Sequence, residues 1–403
     1  MYNTFTLSNG LRIIQHPSAG NVVYCGYAVK AGTRDERQGE EGLAHFCEHV
    51  SFKGTSCRRA WQVIQCIESV GGELNAYTNK EATVYYCACL KEHLPRAVDL
   101  LTDMVFRSVF PEAELEKEKE VICDEIESYN DSPAELIYDE FENRIFRGHP
   151  LGHSVLGTKE SVRSFSSDDA RRFTQRLYRP DNAVFFINGD IPFDTLKRML
   201  TKLHKDILAV PADSQQSFVP PVAEEIVVKG THQAHVLLGR RAYDIHHPRR
   251  IPLYLLNNIL GGPAMSSLLN MALREKNGLV YTVESGMASF ADTGLWSVYF
   301  GCDPHDVKRC LRLVRHELDR LMMKPLSPRR LLQAKRQLKG QIALACDSRE
   351  SFTLDFAKSF LHYGWEKDVS ALCADIDKVT AEDILAVAND LFSQETMELL
   401  VFE

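Results

Sequence analysis

Apolar positions along this chain change period several times, and each change marks an element. Short runs rich in β-branched and aromatic residues read as strands: Leu11-Arg-Ile-Ile, Val22-Val-Tyr-Cys-Gly-Tyr-Ala-Val, Ala183-Val-Phe-Phe-Ile, Ile226-Val-Val, His235-Val-Leu-Leu and Met397-Glu-Leu-Leu-Val-Phe. Longer stretches predict helices over 95–106, 112–129 and 306–323. Pro95 suits a first helical position, where its missing N–H is no loss. Ser166-Ser-Asp-Asp-Ala and Thr380-Ala-Glu-Asp-Ile have the hydroxyl followed by acids of an N-capped helix start. Strands and helices mix without strict βαβ alternation, which predicts an α+β fold.

The polar stretch 211–221 carries three prolines and divides the chain near its middle, as a surface linker would. An internal repeat supports that division. Leu115 aligns with Leu331, Lys119 with Lys335, Ile126 with Ile342, Asp131-Ser132 with Asp347-Ser348 and Gly148 with Gly364, all at one constant offset. The expectation is two similar, duplicated domains of about 200 residues, each a mainly antiparallel sheet packed with helices. Their bounds are 1–210 and 222–403, joined by the linker 211–221.

Composition narrows the class. The chain has 403 residues, 44% hydrophobic, with a net charge of −8. That is globular, with enough residues for more than one core, and it excludes collagen-like, disordered and coiled-coil chains. The slight acid excess disfavours a general nucleic-acid binder. No apolar run approaches the roughly 18 residues of a spanning helix, so no membrane insertion is expected. Met1-Tyr-Asn-Thr-Phe-Thr-Leu lacks the basic start and apolar run of a secretory signal, and a cytoplasmic location is expected. The 11 cysteines contain no CxxC pair and read as reduced thiols.

The strongest chemical signal is His45-Phe46-Cys47-Glu48-His49. On a helix, His45 and His49 lie one turn apart on one face, so both imidazoles reach a single zinc ion. Glu48 is placed to take a proton from water, and the pattern is the inverted zinc-protease motif H-x-x-E-H. A third ligand is needed. The helix after Pro111 offers Glu118 and Glu125, two turns apart on one face, where the repeat has Ala334 and Gln341. The fold therefore does not require carboxylates there. The histidine pair His149 and His153 is interrupted by Pro150 and Gly152 and reads as structural.

Further segments carry a resemblance. Asn9-Gly10-Leu11, Ala31-Gly-Thr-Arg-Asp-Glu, Gly42-Leu-Ala-His45 through Phe52-Lys-Gly-Thr55, Gly71-Gly-Glu-Leu-Asn75-Ala76-Tyr-Thr78, Glu81-Ala-Thr-Val-Tyr85, His149-Pro-Leu-Gly152 and Tyr178-Arg-Pro-Asp-Asn182 occur in family order. Over essentially its whole length the chain resembles the pitrilysin/insulinase family of zinc peptidases, in its mitochondrial-processing-peptidase-like bacterial branch. The resemblance implies one Zn²⁺ per chain held by His45, His49 and Glu125, with Glu48 as general base. It implies that Glu118 orients a ligand or holds the water network. Leu273-Arg274-Glu275-Lys276-Asn277-Gly278-Leu279-Val280-Tyr281 resembles the family's Arg–Tyr motif, whose Arg274 and Tyr281 would support the oxyanion. Gly72, Asn75 and Ala76 would line a strand that pairs with an extended peptide substrate. One chain carries both motifs, which implies a homodimer. The function implied is a metalloendopeptidase that cuts extended peptides or unfolded segments inside a chamber. The alternative is a non-catalytic scaffold or partner subunit of the same fold, whose relatives usually have eroded metal motifs.

Overall fold

The computed structural model describes residues 1–208, 230, 232–393 and 397–403. The linker 211–221 and the run Ile226-Val-Val lie outside the described residues.

The first unit is built on β1 (Asn3–Thr6), β2 (Arg12–His16), β3 (Val22–Val29), β4 (Glu73–Thr78), β5 (Thr83–Leu90) and β6 (Ala183–Asn188). They form one sheet in the order β1-β2-β6-β3-β5-β4. Every neighbouring pair is antiparallel except β2 with β6. β6 is buried at all six positions, as a continuous apolar run demands of a strand covered on both faces. β4 is the outer strand, half-exposed along its length.

Helices α1 (Leu43–Ser51), α2 (Ala60–Glu68) and α3 (Leu94–Arg107) cover one face of this sheet. Phe46, Val63, Leu101 and Met104 meet Tyr27 and Phe185 in its core. α4 (Glu112–Asn130) buries Leu115, Ile122 and Ile126 in the same cluster. On the other face, Ile14, Ala28, Val184 and Phe186 pack against Phe356, Ala357 and Leu361 of the helix Arg349–Tyr363.

The second unit has a four-stranded antiparallel sheet of β7 (Ala234–Ala242), β8 (Val280–Ser289), β9 (Gly294–Cys302) and β10 (Glu398–Phe402), in the order β10-β7-β9-β8. The helix Pro133–Ile145 belongs with it. The Tyr138 hydroxyl donates to Glu284 at 2.5 Å, and Arg241 Nε donates to the Ile145 carbonyl at 2.8 Å.

In space the units do not follow the consecutive division at 1–210 and 222–403 throughout. The first unit takes the described residues of Met1–Ser128, Gly148–Pro221 and Cys346–Lys367; the second takes those of Tyr129–Arg147, Val222–Ala345 and Asp368–Glu403. The two exchanged segments carry the helices that follow the repeated Asp131-Ser132 and Asp347-Ser348. Each packs on the sheet whose strands come from the other half. The repeat marks the two helices as equivalent, but it does not say which sheet each one covers. Among the described residues no helix is long and apolar enough to cross a membrane.

Candidate functional site

α1 presents the histidines, and its start is set by contacts from outside the helix. Gly42, at its N-cap, has φ +92°, and a Cβ there would meet the Leu156 carbonyl oxygen at 2.7 Å. Glycine has no side chain to cap the helix. The buried Glu36 carboxylate does so instead, accepting from the amides of Gly42 at 3.0 Å and Ala44 at 2.8 Å. His153 Nε2 lies 2.8 Å from the same carboxylate. Burial pushes the Glu36 carboxyl well up, and the two amides oppose that push. Neither Glu36 nor His153 had a chemical role in the sequence. A buried acid shortly before an uncapped glycine at a helix start is the signal that could have found the first.

His45 and His49 project from α1 with ring centroids 4.5 Å apart. α4 brings Glu125 against them: its Oε2 is 3.5 Å from His49 Nε2 and 3.9 Å from His45 Nε2. One ligand atom from each of the three residues lies within 4.8 Å of the others. Tetrahedral zinc with bonds near 2.0–2.1 Å holds its donors roughly 3.3 Å apart, so a small inward movement would close this set on one ion. Two further observations fit a metal. Burial, with the charge of His49 next, holds His45 down to about 3, so its imidazole is a free base. Its buried Nδ1 has no hydrogen-bond partner among the described residues. A neutral imidazole keeps a lone pair that can serve a metal ion.

Glu118 lies on the other side of His49. Its Oε1 is 2.9 Å from His49 Nδ1 and its Oε2 is 2.5 Å from Lys53 Nζ. Burial alone would raise the Glu118 carboxyl, but His49 and Lys53 outweigh it and hold it below the usual range. For His49, burial pulls down, but the Glu118 bond and the charges of Glu48, Glu125 and Glu118 outweigh it and raise the ring. Assigning the Nδ1 proton to the Glu118 bond turns the Nε2 lone pair toward Glu125. Lys53 lies in a segment quoted for the family resemblance and had no role there.

Glu48, only 9% exposed, faces the end of β4, where the Thr78 hydroxyl donates to its Oε2 at 2.7 Å. Burial raises this carboxyl above its ordinary range; the Thr78 bond and His49 oppose the shift, and Glu125 adds to it. A raised carboxylate beside a metal-ligand set is suited to taking and returning a proton. Asn75 and Ala76 sit on β4 opposite Tyr86 and Tyr85 of β5, on a strand with one unpaired edge in its sheet. Gly72 has a packing reason: a Cβ there would lie 2.5 Å from Ile67 Cγ2 and 2.8 Å from the Ala88 carbonyl oxygen. Arg274 and Tyr281 belong to the second unit. Arg274 lies in a π-helical turn, Asn270–Glu275, and the Asn277 side-chain amide donates to the Ala272 carbonyl of that turn at 2.8 Å. Tyr281, on β8, is 83% exposed.

Comparison with known proteins shows the family. Residues 12–159, which contain His45, Glu48, His49, Glu118 and Glu125, match the model described as insulinase, peptidase family M16. Residues 164–338, with Arg274 and Tyr281, match the peptidase M16 inactive domain. An uncharacterized zinc protease of Bacillus subtilis, YmxG, is 32% identical over 400 residues, covering 98% of this chain and 97% of that protein. Another from Streptomyces coelicolor is 34% identical over 400 residues, covering 96% of this chain and 87% of its own. The crystal structure of a protease from Helicobacter pylori shares the fold, with a TM-score of 0.90 at 21% identity over 100% of this chain and 99% of that one. The chain therefore belongs to the insulinase family of peptidases, family M16.

Proposed function

We propose that this protein is a zinc-dependent endopeptidase that hydrolyses extended peptides or unfolded segments. The observation that carries the reading is the convergence of His45, His49 and Glu125 within one ion's reach, with the buried Glu48 on the same helix. His45, His49 and Glu125 would hold the ion, and Glu118 would fix the His49 ring. Zinc, when bound, supplies Lewis-acid polarisation of a peptide carbonyl and lowers the pKa of water. Glu48 takes the proton of the attacking water and returns it to the leaving amine nitrogen. The unpaired edge of β4 supplies main-chain donors and acceptors to an extended peptide, beside Gly72, Asn75 and Ala76. A folded, compact protein offers no free extended strand and should be a poor substrate.

The same reading includes Arg274 and Tyr281 as donors to the developing oxyanion, the second copy of a homodimer offering them to the first. The exposure of Tyr281 leaves its phenol open to such a ligand. A cytoplasmic setting is part of it too.

The test compares wild type with Glu48→Gln on a quenched, unstructured peptide, both loaded with equimolar zinc. Turnover by wild type, lost in the variant while zinc is retained, supports the reading. No cleavage by either across several peptides moves the assignment to a scaffold or partner subunit. Equal cleavage by both rejects Glu48 as the base.

A further inference from the structure

Thr78 is the last residue of β4 and stands opposite Thr83, the first of β5. Its hydroxyl has a single proton and two acceptors within reach: Glu48 Oε2 at 2.7 Å and Thr83 Oγ1 at 3.2 Å. The Thr83 proton is already given to the Ala31 carbonyl at 2.7 Å. Thr83 therefore cannot donate to Thr78 without breaking that bond. The shorter, charge-assisted bond to the carboxylate takes the Thr78 proton. Among the described residues, Thr78 supplies the only side-chain hydrogen bond to Glu48.

We infer that Thr78 is the positioning residue for the general base, and that it decides which carboxylate oxygen acts. The inference rests on the peptidase reading above. With Oε2 held by Thr78, Oε1 is the oxygen left to receive the proton from water and to pass it to the leaving nitrogen. The proton's arrival on Oε1 leaves Oε2 a carbonyl-type acceptor, so the Thr78 bond survives both protonation states of Glu48. A glutamate side chain has three rotatable bonds, and a misplacement of about 1 Å at a reacting group can lower a rate by a factor of about 100. The bond also ties the base to β4. Asn75 and Ala76 lie on that strand within a few residues of Thr78, so the peptide-pairing edge and the hydroxyl that holds the base share one strand. The base is thereby held in register with the backbone that it serves.

The experiment measures kcat, KM and zinc content for wild type, Thr78→Val and Thr78→Ser on a quenched unstructured peptide. Valine keeps the shape and removes the hydroxyl; serine keeps the hydroxyl. The expected result is a kcat about tenfold or more lower in Thr78→Val, with KM and zinc content near wild type, and a Thr78→Ser rate close to wild type. In a Glu48→Gln background, Thr78→Val should slow the residual rate no further. Should Thr78→Val not fold, Thr78→Ala is expected to show the same kcat loss. A Thr78→Val kcat equal to wild type overturns the inference alone. So does an effect confined to KM, a Thr78→Ser as slow as Thr78→Val, or a further loss in the Glu48→Gln background. A zinc-loaded wild type that cleaves nothing overturns the peptidase reading, and this inference falls with it.

Discussion

His49 Nδ1 lies 2.9 Å from Glu118 Oε1, while Nε2 of the same ring faces Glu125 Oε2 at 3.5 Å. One imidazole is thus held between two carboxylates of the same helix, α4. The inner contact, backed by Lys53, fixes the ring and its tautomer. The outer one is available to an ion.

Removing the inner contact should loosen the metal without removing a ligand. Glu118→Ala is expected to retain one zinc per chain at saturation but to weaken its affinity about 10–100-fold. Competition with a chelator of known affinity measures this. An affinity equal to wild type would reject the orienting role.

Glu125→Ala should behave differently, because the set then has two imidazoles and no carboxylate. After dialysis against a concentration of free zinc that saturates wild type, its metal content should fall well below one per chain. Full stoichiometry with unchanged affinity would mean that another group completes the site.

The start of α1 depends on one buried carboxylate. Glu36→Ala leaves the Gly42 and Ala44 amides without their acceptor and removes one contact of His153. The expected loss is about 3 kcal/mol of unfolding free energy, read by urea denaturation. A change under about 0.5 kcal/mol would show that water satisfies these amides as well.

Gly72→Ala separates the packing role of this position from a substrate role. The added methyl overlaps Ile67 and the Ala88 carbonyl, so a destabilisation of about 1–3 kcal/mol is expected. Unchanged stability combined with a raised KM would favour a substrate role.

Stability should also fall with acid through His204. Its Nε2 is 2.8 Å from the Tyr27 hydroxyl, which is 2.8 Å from Thr102 Oγ1. Burial, with the charge of Arg107 next, lowers this histidine to about 4. The unfolded chain, with an ordinary histidine near 6.5, therefore binds the proton first as pH drops. The contribution is complete above about pH 6.5 and is lost as pH falls toward 4, by about 2 kcal/mol between pH 7 and pH 5. Urea unfolding at these two pH values should show a smaller difference for His204→Gln than for wild type. Equal differences would discount His204 as a source of acid lability.

Local pattern carried much of the architecture. The apolar runs at 183–187 and 398–402 are strands, the first buried on both faces and the second burying Leu400 and Phe402, and Ser166 and Thr380 cap their helices as their spacing with Asp169 and Asp383 requires. The 1–210 and 222–403 division followed the repeat. It could not register the exchange of the helices Pro133–Ile145 and Arg349–Tyr363, since equivalent sequences do not say which sheet they cover.

By itself the sequence determined that His45, Glu48 and His49 share one helix, because 3.6 residues per turn places positions four apart on one face. It also determined that two acids, Glu118 and Glu125, point the same way from a second helix. Only the tertiary structure decided which nitrogen of His49 each acid meets, because α4 passes α1 with Glu118 reaching one nitrogen and Glu125 the other. It alone brought Thr78 to Glu48 and Glu36 to the start of α1. Those contacts join residues far apart in the chain, and no period in the sequence marks where one element's side chain will meet another's.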